Sequence, residues 1–581
     1  MYLPLLLLLL GAAPAATPDT PMLSDAQKEE ILAKTQVIRL DADLSTLSDS
    51  ERYVVERLME VGAIFQDVYE SSRHQQALPV RRSLEQAPAE SLDRRLYRQF
   101  QGPVVTTLDN QRRPIAGASP EVPGRNVYPW GVTREELSAF IRSHPERRAE
   151  FMDPLTVVRR ADADSLRRDL AALRRHPVVA GLHTDVVARL HALSRKPDAA
   201  AFYAVPYAVA YAPQMVQAHA LLRLAAARIE DEDAHFADYL RLRATDLLTN
   251  DYGGGDAAWV TGAFKTLNAQ IGAYETYDDE LFGQKAFYSL SILRRDARAT
   301  ARLEQALRGL QTLEDALPYA PRKKVRSTIP VGVYEVIADY GQARSANTAS
   351  ILPNDPDHAS RYGRTVLLRA NVLRHPEVHA SNLETWKAAM APQHHGELQA
   401  EGSFNRTVWH EIGHYLGPDR DAKGVPLITA LEDAYSPLEE MKADLVSLYS
   451  AKALRESGHF DARALTAVYA SGILRTLNNV RPRRAQPYQT MQLVQFNWFV
   501  DQGLLEMTPQ GLRIHHARYH AAVASLLEKI LALQASGDRD AAEAFLTRWS
   551  RWEAPHEELA ARMRAKQRYR FRVPSYAAFG D

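Results

Sequence analysis

Residues 404–418 read Phe-Asn-Arg-Thr-Val-Trp-His-Glu-Ile-Gly-His-Tyr-Leu-Gly-Pro, and most of the reading grows from this stretch. Phe404, Val408 and Ile412 stand at i, i+4 and i+8, the spacing of an apolar helix stripe. Gly417 and Pro418 close the helix: glycine suits a left-handed cap, and proline cannot continue the turn. His410 and His414 then lie one above the other on one face. Two imidazoles so placed can bind one Zn²⁺, with Glu411 between them free to act as a base. Gly413 costs such a helix about 1 kcal/mol relative to alanine. A glycine there lets another backbone or a substrate approach closely.

Downstream, Ser436-Pro437-Leu438-Glu439 has the form of a helix start. Serine would be the N-cap, proline the first helical residue and glutamate the third, a capping box. Glu439 thereby has a structural explanation and stays outside the ligand set on this reading. Leu438, Met441, Leu445 and Leu448 form a buried stripe, and Glu440 and Asp444 lie alongside it. Partly buried carboxylates need partners. A metal for Glu440 and the N–H of a ligand imidazole for Asp444 would satisfy both. The expected ligands are His410, His414 and Glu440, holding one Zn²⁺ per chain with a fourth position open to water. Glu411 is the expected general base, and Asp444 orients a ligand imidazole. The bland alternative is an ordinary amphipathic helix pair with polar histidines. The remaining candidates, His394-His395, His515-His516, His375 and His379, have no partner spacing and read as surface or loop.

Composition narrows the class. The chain has 581 residues, 46% apolar and 24% charged, with a formal net charge of zero. No global field points to nucleic acid or an anionic membrane. The basic run Arg481-Pro482-Arg483-Arg484 reads as a solvated loop. There is no cysteine, which excludes disulfides, thiolate metal sites and a cysteine nucleophile. The run Leu3–Leu10, then Gly11 and Ala13-Pro14-Ala15, fits a signal peptide over residues 1–16, although no lysine or arginine precedes it. It is too short to span a bilayer. No later run reaches eighteen apolar residues, so the mature chain is expected to be soluble and periplasmic or secreted.

Helical periodicity covers 24–34, 49–72, 164–194, 211–248, 284–316 and about 376–551. Pro- and Arg-rich stretches at 75–90 and 102–131 read as irregular loops. Thr328–Ile337 and Thr365–Arg369 are β-branched and alternating, hence strands, with a turn signal at 352–356. No repeat at fixed period occurs. The expectation is a mainly α fold with a smaller β part, an α+β protein. It divides into a mostly helical region at 17–200, a strand-containing part at 201–375 and a helical, metal-binding part at 376–581.

HEIGHYLGP at 410–418 and ALEDAYSPLEEMKADLVSLYSAKAL at 430–454 together resemble the dipeptidyl-peptidase III family of metallopeptidases, more closely its shorter bacterial members. FYAVPYAVAYAP at 202–213, IGAYETYDDELFGQKAFY at 271–288, LPNDPDHASRYGRTVLLRANVL at 352–373 and LVQFNWFVDQG at 493–503 are also family-like. Those bacterial members resemble the region downstream of the Nudix domain in some plant proteins; no Nudix box occurs here. The resemblance implies zinc ligands at His410, His414 and Glu440, a catalytic glutamate at Glu411, and ligand-orienting acids at Glu439 and Asp444. It also implies two lobes, a helical one carrying zinc and a lower one built on a small β-barrel, with a cleft between them that takes a peptide.

The sequence departs from the family in places. The best-known members have one more residue between the histidines. The family's transition-state tyrosine falls on Gln270, and its transition-state histidine on Tyr488, whose hydroxyl could serve instead. Of the groups that hold the substrate's N-terminal amine, the acid and one asparagine fall on Asn268 and Ile351, while Asn354 remains. Zinc chemistry is therefore expected to survive, with dipeptide release in question. The expected function is an exported zinc metallohydrolase acting on short peptides. The alternative is a periplasmic zinc protein that binds peptides with weak or lost hydrolysis.

Overall fold

The computed structural model describes residues 22–325, 329–345, 348–353 and 356–579. Helices dominate, and one five-stranded sheet organises them. Its strands run in the order Leu267–Glu275, Phe287–Arg295, Val331–Gly341, Thr365–Arg369, Ala349–Leu352. Val331–Gly341 and Thr365–Arg369 are parallel, with Leu368 opposite Val333; the other pairs are antiparallel.

The two-residue period of these strands divides their side chains between two large cores. Val333, Val366 and Leu368 join the core of the motif helices. Val336, Leu367 and Ile271 join a second core with the long helix Asp49–Arg73 and the helices Ala212–Ile229 and Ala234–Thr249. Apolar packing on both faces leaves little of the sheet for solvent, so its strands are buried almost throughout, serines included.

This explains where the sequence reading and the structure part. The strand Thr365–Arg369 stands where it was expected; of the strand expected at 328–337, Thr328 lies outside the described residues, and the strand runs Val331–Gly341. Phe287–Arg295, inside a stretch expected to be helical, is instead a central strand. Residues buried on both faces show no alternation to separate strand from helix. Leu267–Glu275 is a further strand that periodicity did not mark. The stretch 75–90, expected to be irregular, contains the helix Ala77–Glu85. Within the helical 376–551, Leu505–Thr508 and Gly511–Ile514 form a hairpin.

The last strand, Phe571–Tyr576, pairs in parallel with Thr35–Leu40. The end of the chain thus returns to its beginning. Among the described residues no helix is long and apolar enough to cross a membrane.

Candidate metal centre

The first motif helix runs Ala400–Tyr415, and Gly417 follows it with φ +81°, the left-handed cap expected of a glycine. Phe404, Val408 and Ile412 are buried, as is the stripe Leu438, Met441, Leu445 and Leu448 on the second motif helix, Tyr435–Glu456. The helices meet at Gly413. A Cβ there would lie 2.5 Å from the Ala443 carbonyl oxygen and 2.7 Å from its Cα. This close approach sets the histidines of one helix against the carboxylates of the other. Lys442 fastens the crossing: its buried ammonium donates to the carbonyls of Gly413 at 2.9 Å and Leu416 at 2.8 Å. A cation suits the carbonyl-rich end of a helix.

His410 Nε2 is 3.3 Å and His414 Nε2 is 3.7 Å from the same atom, Oε2 of Glu440. That oxygen is buried and has no hydrogen-bond partner. The other oxygen, Oε1, accepts from the Tyr488 hydroxyl at 2.8 Å. Both imidazoles are held from behind. His410 Nδ1 lies 2.6 Å from Asp444 Oδ1, and His414 Nδ1 lies 3.0 Å from Glu439 Oε1.

Burial opposes the charge of Asp444, but Arg475, His410 and Arg406 hold it well below the usual carboxylate range. Burial likewise opposes Glu439, and Lys442 and His414 hold it low. Ionised carboxylates only accept, so each Nδ1–H donates and each Nε2 presents a lone pair. Two lone pairs and an unpartnered carboxylate oxygen converging on one point repel each other unless a cation sits among them. The donor set, two imidazoles and one carboxylate, suits zinc. Without a cation, burial disfavours the His410 imidazolium, yet Asp444 and Glu440 push the group up to about 9. Proton and metal therefore compete for this site.

Glu411 lies at the junction of two hollows. One is a cavity of about 80 Å³ that it shares with both histidines, Glu440, Glu275 and Tyr435. The other is a cleft of about 660 Å³ reaching the C-terminal strand. Burial and Glu440 raise the Glu411 carboxyl above its ordinary range, while the two histidines pull it down.

No protein-family model matches the chain. Two solved structures cover it almost wholly. Dipeptidyl-peptidase III from Corallococcus sp. strain EGB aligns with a TM-score of 0.83 at 23% identity, over 96% of this chain and 99% of that one. Dipeptidyl-peptidase III from Caldithrix abyssi aligns with a TM-score of 0.75 at 24% identity, over 95% and 99%. The chain has the dipeptidyl-peptidase III fold. Among curated proteins it is 26% identical to Nudix hydrolase 3 of Arabidopsis thaliana over 438 residues, 74% of this chain and 54% of that protein. The chain thus spans about half the length of that relative.

On the dipeptidyl-peptidase III fold the remaining expected residues fall as follows. Ser436-Pro437-Leu438-Glu439 forms no capping box, because the helix already begins at Tyr435 after a tight turn at Glu432–Ala434. Glu439 instead accepts from His414, Lys442 and Gln534. Tyr488 stands at Glu440 and lines both hollows. Ile351 lines the smaller one. Asn268 is not brought to the cleft: its side chain is buried between the Trp259 indole and the Tyr334 hydroxyl, 2.9 Å from each. Gln270 is buried too, accepting from Ser350 Oγ at 3.0 Å and Arg369 Nη2 at 3.2 Å. Asn354 lies outside the described residues.

His394, expected at the surface, is buried. It forms a cluster with Glu397 and His516, but its Nε2 accepts from the Ile514 N–H while Nδ1 faces Glu397, so neither nitrogen is left for a metal.

Three further groups belong to the site. Arg406 donates to Asp444 at 2.7 Å and lies one turn before His410, a spacing visible in the sequence. Arg475 reaches Asp444 from the helix Ala462–Thr476 at 3.5 Å and covers the Tyr488 ring, a juxtaposition with no local signal. Glu275 ends its strand in the small cavity, where burial, Glu440 and Glu411 push its carboxyl up to about 8.

Proposed function

We propose that the chain is an exported zinc metallopeptidase of the dipeptidyl-peptidase III family, cutting short peptides bound in a cleft between a helical zinc lobe and a sheet-containing lobe. One observation carries the reading: two imidazole lone pairs and the buried, unpartnered Oε2 of Glu440 converge, while both Nδ1 atoms are tied to carboxylates behind them. Zinc held by His410, His414 and Glu440 would polarise a peptide carbonyl and make a water easier to deprotonate.

The chain's own groups do the rest. Glu411 accepts the proton from the attacking water and passes it to the leaving amine. Asp444 and Glu439 keep the imidazoles in one tautomer. The Tyr488 hydroxyl fixes Glu440 and stands where a donor to a developing oxyanion would be useful. Asn268 is bonded to Trp259 and Tyr334 away from the cleft and Ile351 is apolar, so selection of a free substrate amine is expected to be weak.

Glu411 also separates this reading from a peptide-binding protein, which needs no base beside a metal. The Glu411→Gln protein should keep its zinc and its melting temperature and lose most hydrolysis. A variant that cleaves peptides as fast as the wild type would remove Glu411 from the mechanism.

A further inference from the structure

Six arginines line the large cleft, Arg73, Arg112, Arg344, Arg406, Arg475 and Arg572, against two carboxylates, Asp278 and Glu411. Four of the six are matched. Arg73 faces Asp278 at 3.5 Å, Arg112 holds Glu121 through two contacts of 2.8 Å, and Arg406 and Arg475 share Asp444. Asp278 is already engaged, accepting from Tyr69 and Gln342. Arg344 and Arg572 differ. Among the described residues neither has a carboxylate within 4.0 Å. Arg572 donates to the Asn382 amide oxygen at 2.8 Å, a contact that positions the guanidinium without neutralising it.

The two come from distant parts of the chain. Arg344 sits on the tight turn Gln342–Ser345 after the sheet's third strand, and Arg572 on the C-terminal strand that packs against that turn. Asp339 feels the Arg344 charge without forming an ion pair with it, and two guanidinium groups with no contacting carboxylate in a concave wall focus a positive potential into the cleft. Their planar forks match a carboxylate better than any neutral group.

We infer that this arm of the cleft binds a carboxylate of the substrate through Arg344 and Arg572, so that the substrate is a peptide recognised by a carboxylate group. The inference rests on the reading of the cleft as a peptide site. The carboxylate can be an aspartate or glutamate side chain or the peptide's own C-terminus, and the test separates them.

Fluorescently labelled peptides of one sequence would be prepared as free acid and C-terminal amide, with Glu or Gln at each position. Their affinities would be measured on the zinc-loaded Glu411→Gln protein, which leaves them intact. Neutralising the recognised carboxylate should weaken binding at least about 10-fold, and added salt should erase the difference. Sensitivity to amidation alone assigns the C-terminus; sensitivity to Glu→Gln alone assigns a side chain. Arg344→Gln and Arg572→Gln should each lose most of the preference and leave the neutral peptide's affinity unchanged, which a fold defect would not do. Equal affinity for acidic and neutral peptides, no binding of either, or a preference that survives the double variant would overturn the inference. Hydrolysis by the wild type alongside equal affinities sinks this inference and spares the peptidase reading. A preference without hydrolysis does the reverse.

Discussion

Glu440 has one oxygen held by the Tyr488 hydroxyl and one facing two imidazoles. Replacing it by alanine leaves two imidazoles, which hold zinc weakly. Metal analysis of Glu440→Ala should find the zinc gone, and an unchanged content would take Glu440 out of the ligand set. Asp444 acts through His410, so Asp444→Ala should keep the metal but weaken its affinity about 10–100-fold, as competition with a chelator would measure. The proposed ligand residues were legible as a cluster because four-residue spacings on a helix face translate directly into geometry. Glu439 was legible only through the family resemblance: Ser436-Pro437-Leu438-Glu439 has the composition of a cap, and only the packing of the two helices turns Glu439 toward His414. Asn268 and Gln270 mark the opposite case, where residue positions taken from the family fall in this chain on side chains already bonded inside a sheet.

Elements are placed by close packing as much as by propensity. Gly413→Ala would favour the isolated helix by about 1 kcal/mol. In the protein its methyl group would strike the backbone of Ala443, so the crossing must open. Overpacking of this kind costs about 1–3 kcal/mol. Urea unfolding should therefore find the variant less stable than the wild type, with weaker zinc binding as well; a more stable variant would show that the helices do not cross here. Lys285 supplies a pH test. It is fully buried, donating to the Asp153 carbonyl at 2.7 Å and Thr156 Oγ1 at 2.6 Å. Burial pushes its pKa down to about 8, with Asp153 and Asp279 acting the other way. A free lysine titrates near about 10.4. Between those values the unfolded chain binds more protons, so stability rises with pH across the window and is lost as pH falls through about 8. Thermal unfolding should show the wild type gaining on Lys285→Met between these limits, and parallel curves would contradict the shift. The strand Phe287–Arg295 just beyond Lys285 escaped the sequence reading because both of its faces are covered, and its only alternation, Ser289-Leu290-Ser291-Ile292, is four residues long.

At the scale of the molecule, the cleft is assembled from parts no local pattern joins. The helix Asp49–Arg73, the sheet, the first motif helix and the C-terminal strand each contribute to its wall. Neither the return of Phe571–Tyr576 to Thr35–Leu40 nor the arginines that gather there could be inferred from spacing, since the partners stand at opposite ends of the chain. The leader expected at residues 1–16 falls outside the described residues, and export remains part of the proposal, to be checked by N-terminal sequencing of the mature protein.

One claim is central: this fold holds a zinc ion and with it hydrolyses peptides. The purified protein should be incubated with a mixed peptide library, first as isolated, then with a chelator, then with zinc restored. The account predicts cleavage that the chelator abolishes and zinc returns. Cleavage indifferent to the chelator, or no cleavage by a protein shown to carry one zinc, would contradict it.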